Sequence, residues 1–161
     1  MSRRGLRIDI EGLGLRYGST DVLRDIDLHI ESGEQVCLVG PNGAGKSSLL
    51  RCLTGLAEPT AGRVALDREP LAGIERSVIA RAISVVPSQL DLPFSMPVEE
   101  LVRLGRIPHE NPFTGASPED LAAVDSAITR VGIDGLRGRD VRQLSMGERQ
   151  LVLVAMAVAQ G

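Results

Sequence analysis

The 161-residue chain is 43 % hydrophobic and 24 % charged, with 18 Lys+Arg against 21 Asp+Glu and a net charge of −3. This is the make-up of a single soluble globular domain with enough apolar material for a core. The slight acidic excess, with only Tyr17, Phe94 and Phe113 as aromatics, excludes a general nucleic-acid binder, which needs a positive field and stacking surfaces.

No apolar run approaches the roughly 20 residues that span a bilayer; the longest is Leu151 to Ala159. Asp9 and Glu11 follow the basic Arg3-Arg4, so a secretory leader is not expected, and the cytosol is the expected compartment.

Leu6, Ile8 and Ile10, then Leu13 and Leu15, alternate with polar residues or glycine. After a Gly18-Ser19-Thr20-Asp21 break, Ile26, Leu28 and Ile30 repeat the pattern within Val22 to Ile30. Period-two alternation predicts two half-buried antiparallel strands. Ser32-Gly33 turns the chain into Gln35-Val36-Cys37-Leu38-Val39, a continuous apolar run expected of a central strand covered on both faces. Cys37 and Cys52 lie in apolar segments with no Cys or His at metal-ligand spacing, so both are read as buried, reduced thiols.

A glycine loop follows Val39, and a helix is predicted from Lys46 to Thr54 with Gly55 as its terminator. Pro59 to Gly62 reads as a turn, Arg63 to Leu66 as a short strand, Ile74 to Arg81 as a helix and Ile83 to Val86 as a second buried strand. An amphipathic helix is expected over Val98 to Gly105 behind Pro97. Another opens at Ser117-Pro118-Glu119-Asp120 and carries Leu121, Val124, Ile128 and Val131. The predicted class is α/β.

Gly40-Pro41-Asn42-Gly43-Ala44-Gly45-Lys46-Ser47 matches GxxxxGK[ST] in full, between a predicted strand and a predicted helix. The glycines let successive backbone N–H groups turn inward around a polyphosphate, and the helix N-terminus adds its dipole. All but one of the 18 basic residues are arginine, and the exception is Lys46. A compact ammonium fits a close-packed ionic position that a planar guanidinium cannot enter. Leu144-Ser145-Met146-Gly147-Glu148 is by itself a capping box, in which Ser145 caps a helix and Glu148 reaches back to it. It also makes a second helix N-terminus suited to an anion.

Together the two motifs resemble the ATP-binding subunit of ABC transporters, with the P-loop at Gly40 to Ser47 and a signature of LSGGQ type at Leu144 to Glu148. The short interval between Lys46 and Ser145 leaves no room for the long coiled coil of the related chromosome-maintenance ATPases. The resemblance implies a P-loop core with an antiparallel β subdomain and an inserted helical subdomain over about 98–138, all in one domain. It further implies that Tyr17 stacks on adenine and that Gly40 to Ser48 hold the phosphates of ATP. Lys46 would reach the β- and γ-phosphates, with Ser47 and the Q-loop Gln89 on Mg²⁺. Gln89 stands one residue later than in the usual Val-Pro-Gln. Leu144, Ser145, Met146, Gly147 and Glu148 would act on the ATP of a second subunit joined head to tail. Transmembrane permease subunits complete the implied assembly, at the cytoplasmic face of the membrane.

Leu104-Gly105-Arg106-Ile107-Pro108-His109, with Phe113 and the Pro118-Glu119-Asp120 start, is similar to importers of ferric siderophores, haem and cobalamin. His109 is read as a loop or coupling-surface residue and His29 as a strand residue; neither is read as a metal ligand. The sequence departs from the family at Met146, where glycine is usual, and at Glu148, where glutamine is usual. The first is expected to crowd, and the second to repel, a facing γ-phosphate.

The family's Mg²⁺-binding acid, catalytic glutamate and switch histidine have no counterpart before Gly161. Val64-Ala65-Leu66-Asp67 is read as a surface strand with a turn aspartate. The expectation is the N-terminal portion of an ABC subunit that binds ATP and hydrolyses it poorly. The alternatives are a non-functional truncated remnant and a soluble ABC ATPase unconnected with transport.

Overall fold

A computed structural model describes residues 6–88, 90, 92–111 and 114–161; Gln89 and Phe113 of the sequence reading lie outside these. The chain forms two compact units, one reaching to Ala82 and one starting at Ile83.

The first unit is built on an antiparallel sheet of four strands, β1 (Ile8–Tyr17), β2 (Thr20–Ile30), β3 (Ala61–Leu66) and β4 (Glu69–Pro70), in the order β2-β1-β3-β4. The alternation that slips phase between Ile10 and Leu13 is a bulge in the β1/β2 register at that point. Gly12 takes a left-handed φ of 54° there, and its amide donates to the Asp27 carboxylate at 2.7 Å. A bulge adds one residue to one strand and restores the inward phase beyond it, so Ile10, Leu13 and Leu15 are all buried. Helix α1 (Lys46–Leu53) supplies Leu49, Cys52 and Leu53 to this unit's buried residues. Gly55, at φ 69°, ends the turn beyond it, as the sequence predicts.

Beside β1, His29 lies between two carboxylates: Nδ1 bonds Asp9 across the strand pair and Nε2 bonds Glu31. Both contacts favour the imidazolium, Glu31 most, so the ring's pKa is raised.

The β3–β4 turn places two non-glycine residues in the left-handed region, Asp67 at φ 49° and Arg68 at φ 72°. That conformation suits the right-handed strand twist but disfavours any residue with a Cβ. Arg68→Gly is therefore expected to raise stability by about 1 kcal/mol, read as a higher urea midpoint with an unchanged slope.

Two predicted strands do not form. Residues 34–40 and 83–87 carry no regular secondary structure, and Val36, Leu38, Val39, Val85 and Val86 are exposed, Val39 by 84 %. An all-apolar run signals a segment that needs cover on both faces, but a strand exists only where a neighbour accepts its ladder. Among the described residues, no strand pairs with either segment. For the same reason Cys37 is exposed, contrary to the sequence reading, whereas Cys52 is buried.

The second unit is helical: α3 (Val98–Arg103), α4 (Pro118–Val131) and α5 (Met146–Gln160); with α1, the helix α2 (Arg76–Ala82) belongs to the first unit. The core joins Val98, Leu101 and Val102 of α3 to Val124 and Ile128 of α4 and Val152 of α5. The helical core thus extends past residue 138 to include α5.

The 3₁₀ turn Leu104–Arg106 follows α3 and presses on α5 so closely that a Cβ on Gly105 would stand 2.2 Å from the Met156 carbonyl oxygen. Arg106 donates to the Ala159 carbonyl at 2.7 Å and to Asp120 at 2.9 Å. His109 Nε2 lies 2.8 Å from the Gln160 carbonyl, which puts the ring proton on Nε2. These two side chains satisfy carbonyls that the last turn of a helix leaves open. His109 thus lies in a turn, as the sequence reading expects, and from there it also serves as a half-buried cap on α5.

Asp120 is buried. The Ser117 amide and hydroxyl, then Arg106, hold its pKa down to about 2. A carboxylate depressed in the folded state adds stability that is complete above its unfolded pKa of about 3.9. That share disappears as pH falls through about 2. Asp120→Asn is expected to flatten the acid limb of the helical unit's stability over that window, measured by circular dichroism.

Candidate functional site

The glycine-rich loop rests on β2. A Cβ on Gly45 would meet Leu23 Cδ2 at 2.9 Å and the Val22 carbonyl at 3.0 Å, and Gly45 itself has φ 88°. Gly43 is also left-handed, at φ 84°, so two residues that only glycine tolerates well bend the loop. The Ala44 amide donates to the Pro41 carbonyl at 3.3 Å and the Leu49 amide to Gly45 at 2.9 Å. The amides of Gly43, Gly45, Lys46, Ser47 and Ser48 have no acceptor among the described residues. These are the open donors of a helix N-terminus and its approach, the arrangement that binds anions.

Lys46 Nζ donates to the carbonyls of Gly40 and Pro41, each at 2.7 Å. The ammonium therefore bridges the loop's own entrance and retains one further N–H. Asn42 and Ala44 complete the loop and are exposed. Tyr17 pairs with Thr20 at the closed end of the β1–β2 hairpin, two residues from the Val22 carbonyl that Gly45 approaches. The exposed tyrosine and the loop thus share one end of the sheet.

The second motif belongs to the helical unit. Leu144 is buried and anchors the entry to α5, and Ser145 is its N-cap. The Ser145 hydroxyl and amide donate to Glu148 Oε2 at 2.7 and 2.8 Å, and the Glu148 amide returns a bond to the hydroxyl at 3.3 Å. Arg139 holds the other oxygen, Oε1, at 3.2 Å. Ser145 and then Arg139 keep the Glu148 carboxyl below the usual carboxylate range. Glu148 is thus folded back on Ser145, and Met146 stands out from the helix, 88 % exposed. A Cβ on Gly147 would touch nothing within 4 Å.

Arg139 was not legible as part of this site, because no local pattern links it to a residue in the following helix. Arg106 has the same character. Gln89, the remaining candidate, lies outside the described residues.

The ABC transporter family model matches residues 23–161, most of the chain and both motifs. The chain belongs to the ABC transporter family. Among curated ABC relatives it is 40 % identical over 155 residues to the cobalamin import ATP-binding protein BtuD of Halobacterium salinarum, covering 96 % of this chain and 38 % of that one. It is 41 % identical to the hemin import ATP-binding protein HmuV of Pseudomonas entomophila, covering 95 % and 58 %. It is 38 % identical to the ferric enterobactin transport ATP-binding protein FepC of Escherichia coli, covering 99 % and 59 %.

The chain thus spans between about two fifths and three fifths of these relatives' lengths. Among solved ABC structures, cbiO1 of Clostridium perfringens, part of the cbiONQ transporter complex, superposes with a TM-score of 0.78. It is 27 % identical, with 95 % of this chain and 61 % of that one covered. An ATP-bound bacterial Atm1-family exporter gives a TM-score of 0.79 at 25 % identity, covering all of this chain and 28 % of that one. The α/β fold is that of ABC ATPase domains. None of the described helices is long and apolar enough to cross a membrane.

Proposed function

We propose that this chain binds MgATP through Gly40 to Ser48 and Tyr17. In the complete protein it would serve as the ATP-binding subunit of an importer for a corrinoid, haem or ferric siderophore. The observation that carries this reading is the set of open amides of Gly43 and of Gly45 to Ser48 around the ammonium of Lys46. Phosphate oxygens satisfy such amides, and Lys46 has an N–H left for the β/γ-phosphates. Tyr17 offers its ring to adenine from the adjoining end of the sheet.

Bound Mg²⁺ would neutralise charge on the β- and γ-phosphates, with the Ser47 hydroxyl and Gln89 as its protein ligands. Ser145 and the Gly147 amide would face the nucleotide of a second copy joined head to tail. Transmembrane permease subunits at the cytoplasmic membrane face would receive the resulting motion. Hydrolysis by residues 1–161 alone is proposed to be slow: among the described residues the acid that follows a buried strand end is Asp67, and it stands in the β3–β4 turn at the Ile8 end of β1, away from Tyr17 and the loop, where it does not orient the attacking water.

Thermal unfolding with and without MgATP tests the binding. At a concentration 100-fold above Kd, the folded state gains about 2.7 kcal/mol, and Lys46→Ala is expected to remove that gain. Superimposable melts of wild type with and without MgATP would refute the reading.

The exposed Val36, Leu38, Val39, Val85 and Val86 favour a second reading, a remnant that binds nothing and associates through uncovered apolar segments. Light scattering that rises with concentration, together with a non-cooperative melt, would select it.

A further inference from the structure

The fifth residue of the signature is an acid, and a carboxylate at a helix N-terminus that is to meet a polyphosphate repels it. Within the helical unit that charge is already engaged. Glu148 Oε2 accepts from the Ser145 amide and hydroxyl, and Oε1 accepts from Arg139.

Arg139 is well placed for this, because its backbone is fixed. Its carbonyl accepts from the Val98 amide at 3.1 Å, its own amide donates to Leu136 at 3.1 Å, and the next residue, Asp140, bridges to Pro97. The guanidinium is therefore presented to α5 from a clamped segment at the start of α3. Gly147 adds an independent observation. Glycine in a helix costs about 1 kcal/mol relative to alanine, and here neither a positive φ nor a neighbour within 4 Å of a Cβ requires it. A glycine without an internal reason fits a backbone left bare for close approach from outside.

We infer that Arg139 is a positioning residue for the signature: it neutralises Glu148 and holds it folded back, so that Ser145 and the bare Gly147 amide can face a phosphate. This rests on the reading of Ser145 and Gly147 as phosphate contacts, and it assigns Arg139 a role through Glu148 with no contact to nucleotide.

The test is a titration of the full chain with inorganic tripolyphosphate, followed by amide chemical shifts at Ser145 and Gly147. Wild type is expected to show saturable shifts there, and Arg139→Ala to weaken them about tenfold through the uncompensated carboxylate. The double variant Arg139→Ala/Glu148→Gln is expected to recover wild-type affinity, because without the carboxylate there is no charge left to compensate. Arg139→Lys, which keeps the charge, is expected to stay near wild type.

Hydrogen exchange along α5, unchanged in all variants, shows that the helix itself persists. Absence of shifts at Ser145 and Gly147 in wild type overturns the inference. So does an Arg139→Ala affinity equal to wild type, or a double variant that stays weak. Failure of the ATP-binding reading has a different signature: shifts across Gly43 to Ser48 that Lys46→Ala leaves unchanged.

Discussion

Gly62→Ala is expected to remove about 3 kcal/mol or more from the amino-terminal unit. Gly62 sits at the start of β3 with φ 71°, and a Cβ there would stand 2.3 Å from the carbonyl oxygens of both Glu11 and Gly12. Those atoms belong to the bulge of β1, so they cannot rotate aside as a side-chain terminus would. Either β3 withdraws from β1 or the bulge rearranges; the second choice moves Ile10 and Leu13 out of phase with the core. Urea unfolding followed by a probe in the first unit measures the loss. The MgATP-induced stabilisation should fall with it, because the loop lies on β2, which takes its register from β1.

Gly105→Ala is the counterpart in the helical unit. The added methyl would lie 2.2 Å from the Met156 carbonyl and 3.4 Å from the Gln160 amide, both on the backbone of α5. Separating the 3₁₀ turn from α5 also lengthens the bonds from Arg106 to Ala159 and from His109 to Gln160, so packing and capping are lost together. A cost of about 3 kcal/mol is expected, read as a lower urea midpoint for the helical signal. Gly105→Ser, with a slightly larger side chain, should lose at least as much; a glycine required only for turn flexibility would tolerate both.

The features that sequence reasoning recovered are those whose physical cause is local. The glycine-rich loop needs left-handed residues at fixed offsets, and Gly43 and Gly45 occupy them. The caps of α4 and α5 join residues three apart, Ser117 to Asp120 and Ser145 to Glu148, so each is visible in a single turn of sequence. The alternation in β1 and β2 followed from one buried face.

What was not legible depends on distant partners. Val36 to Val39 announces a need for cover, but only pairing in space shows whether cover exists. The roles of Arg106 and Arg139 show only once the fold brings the carbonyl of Ala159 and the carboxylate of Glu148 to them. Gly62 and Gly105 resemble turn glycines, although a neighbouring backbone prescribes each of them. His29 is similar: its two carboxylate partners become neighbours only once β1 and β2 are in register.

The bridge from Lys46 to the carbonyls of Gly40 and Pro41 has a consequence for kinetics. Two oxygen dipoles that would otherwise confront an arriving anion are screened by the same cation that attracts it, and the loop is gathered before any guest appears. Capture as proposed then uses the N–H that Lys46 retains and the open amides around it, with no search by a slack segment. Deleting that side chain should slow entry as well as hasten escape.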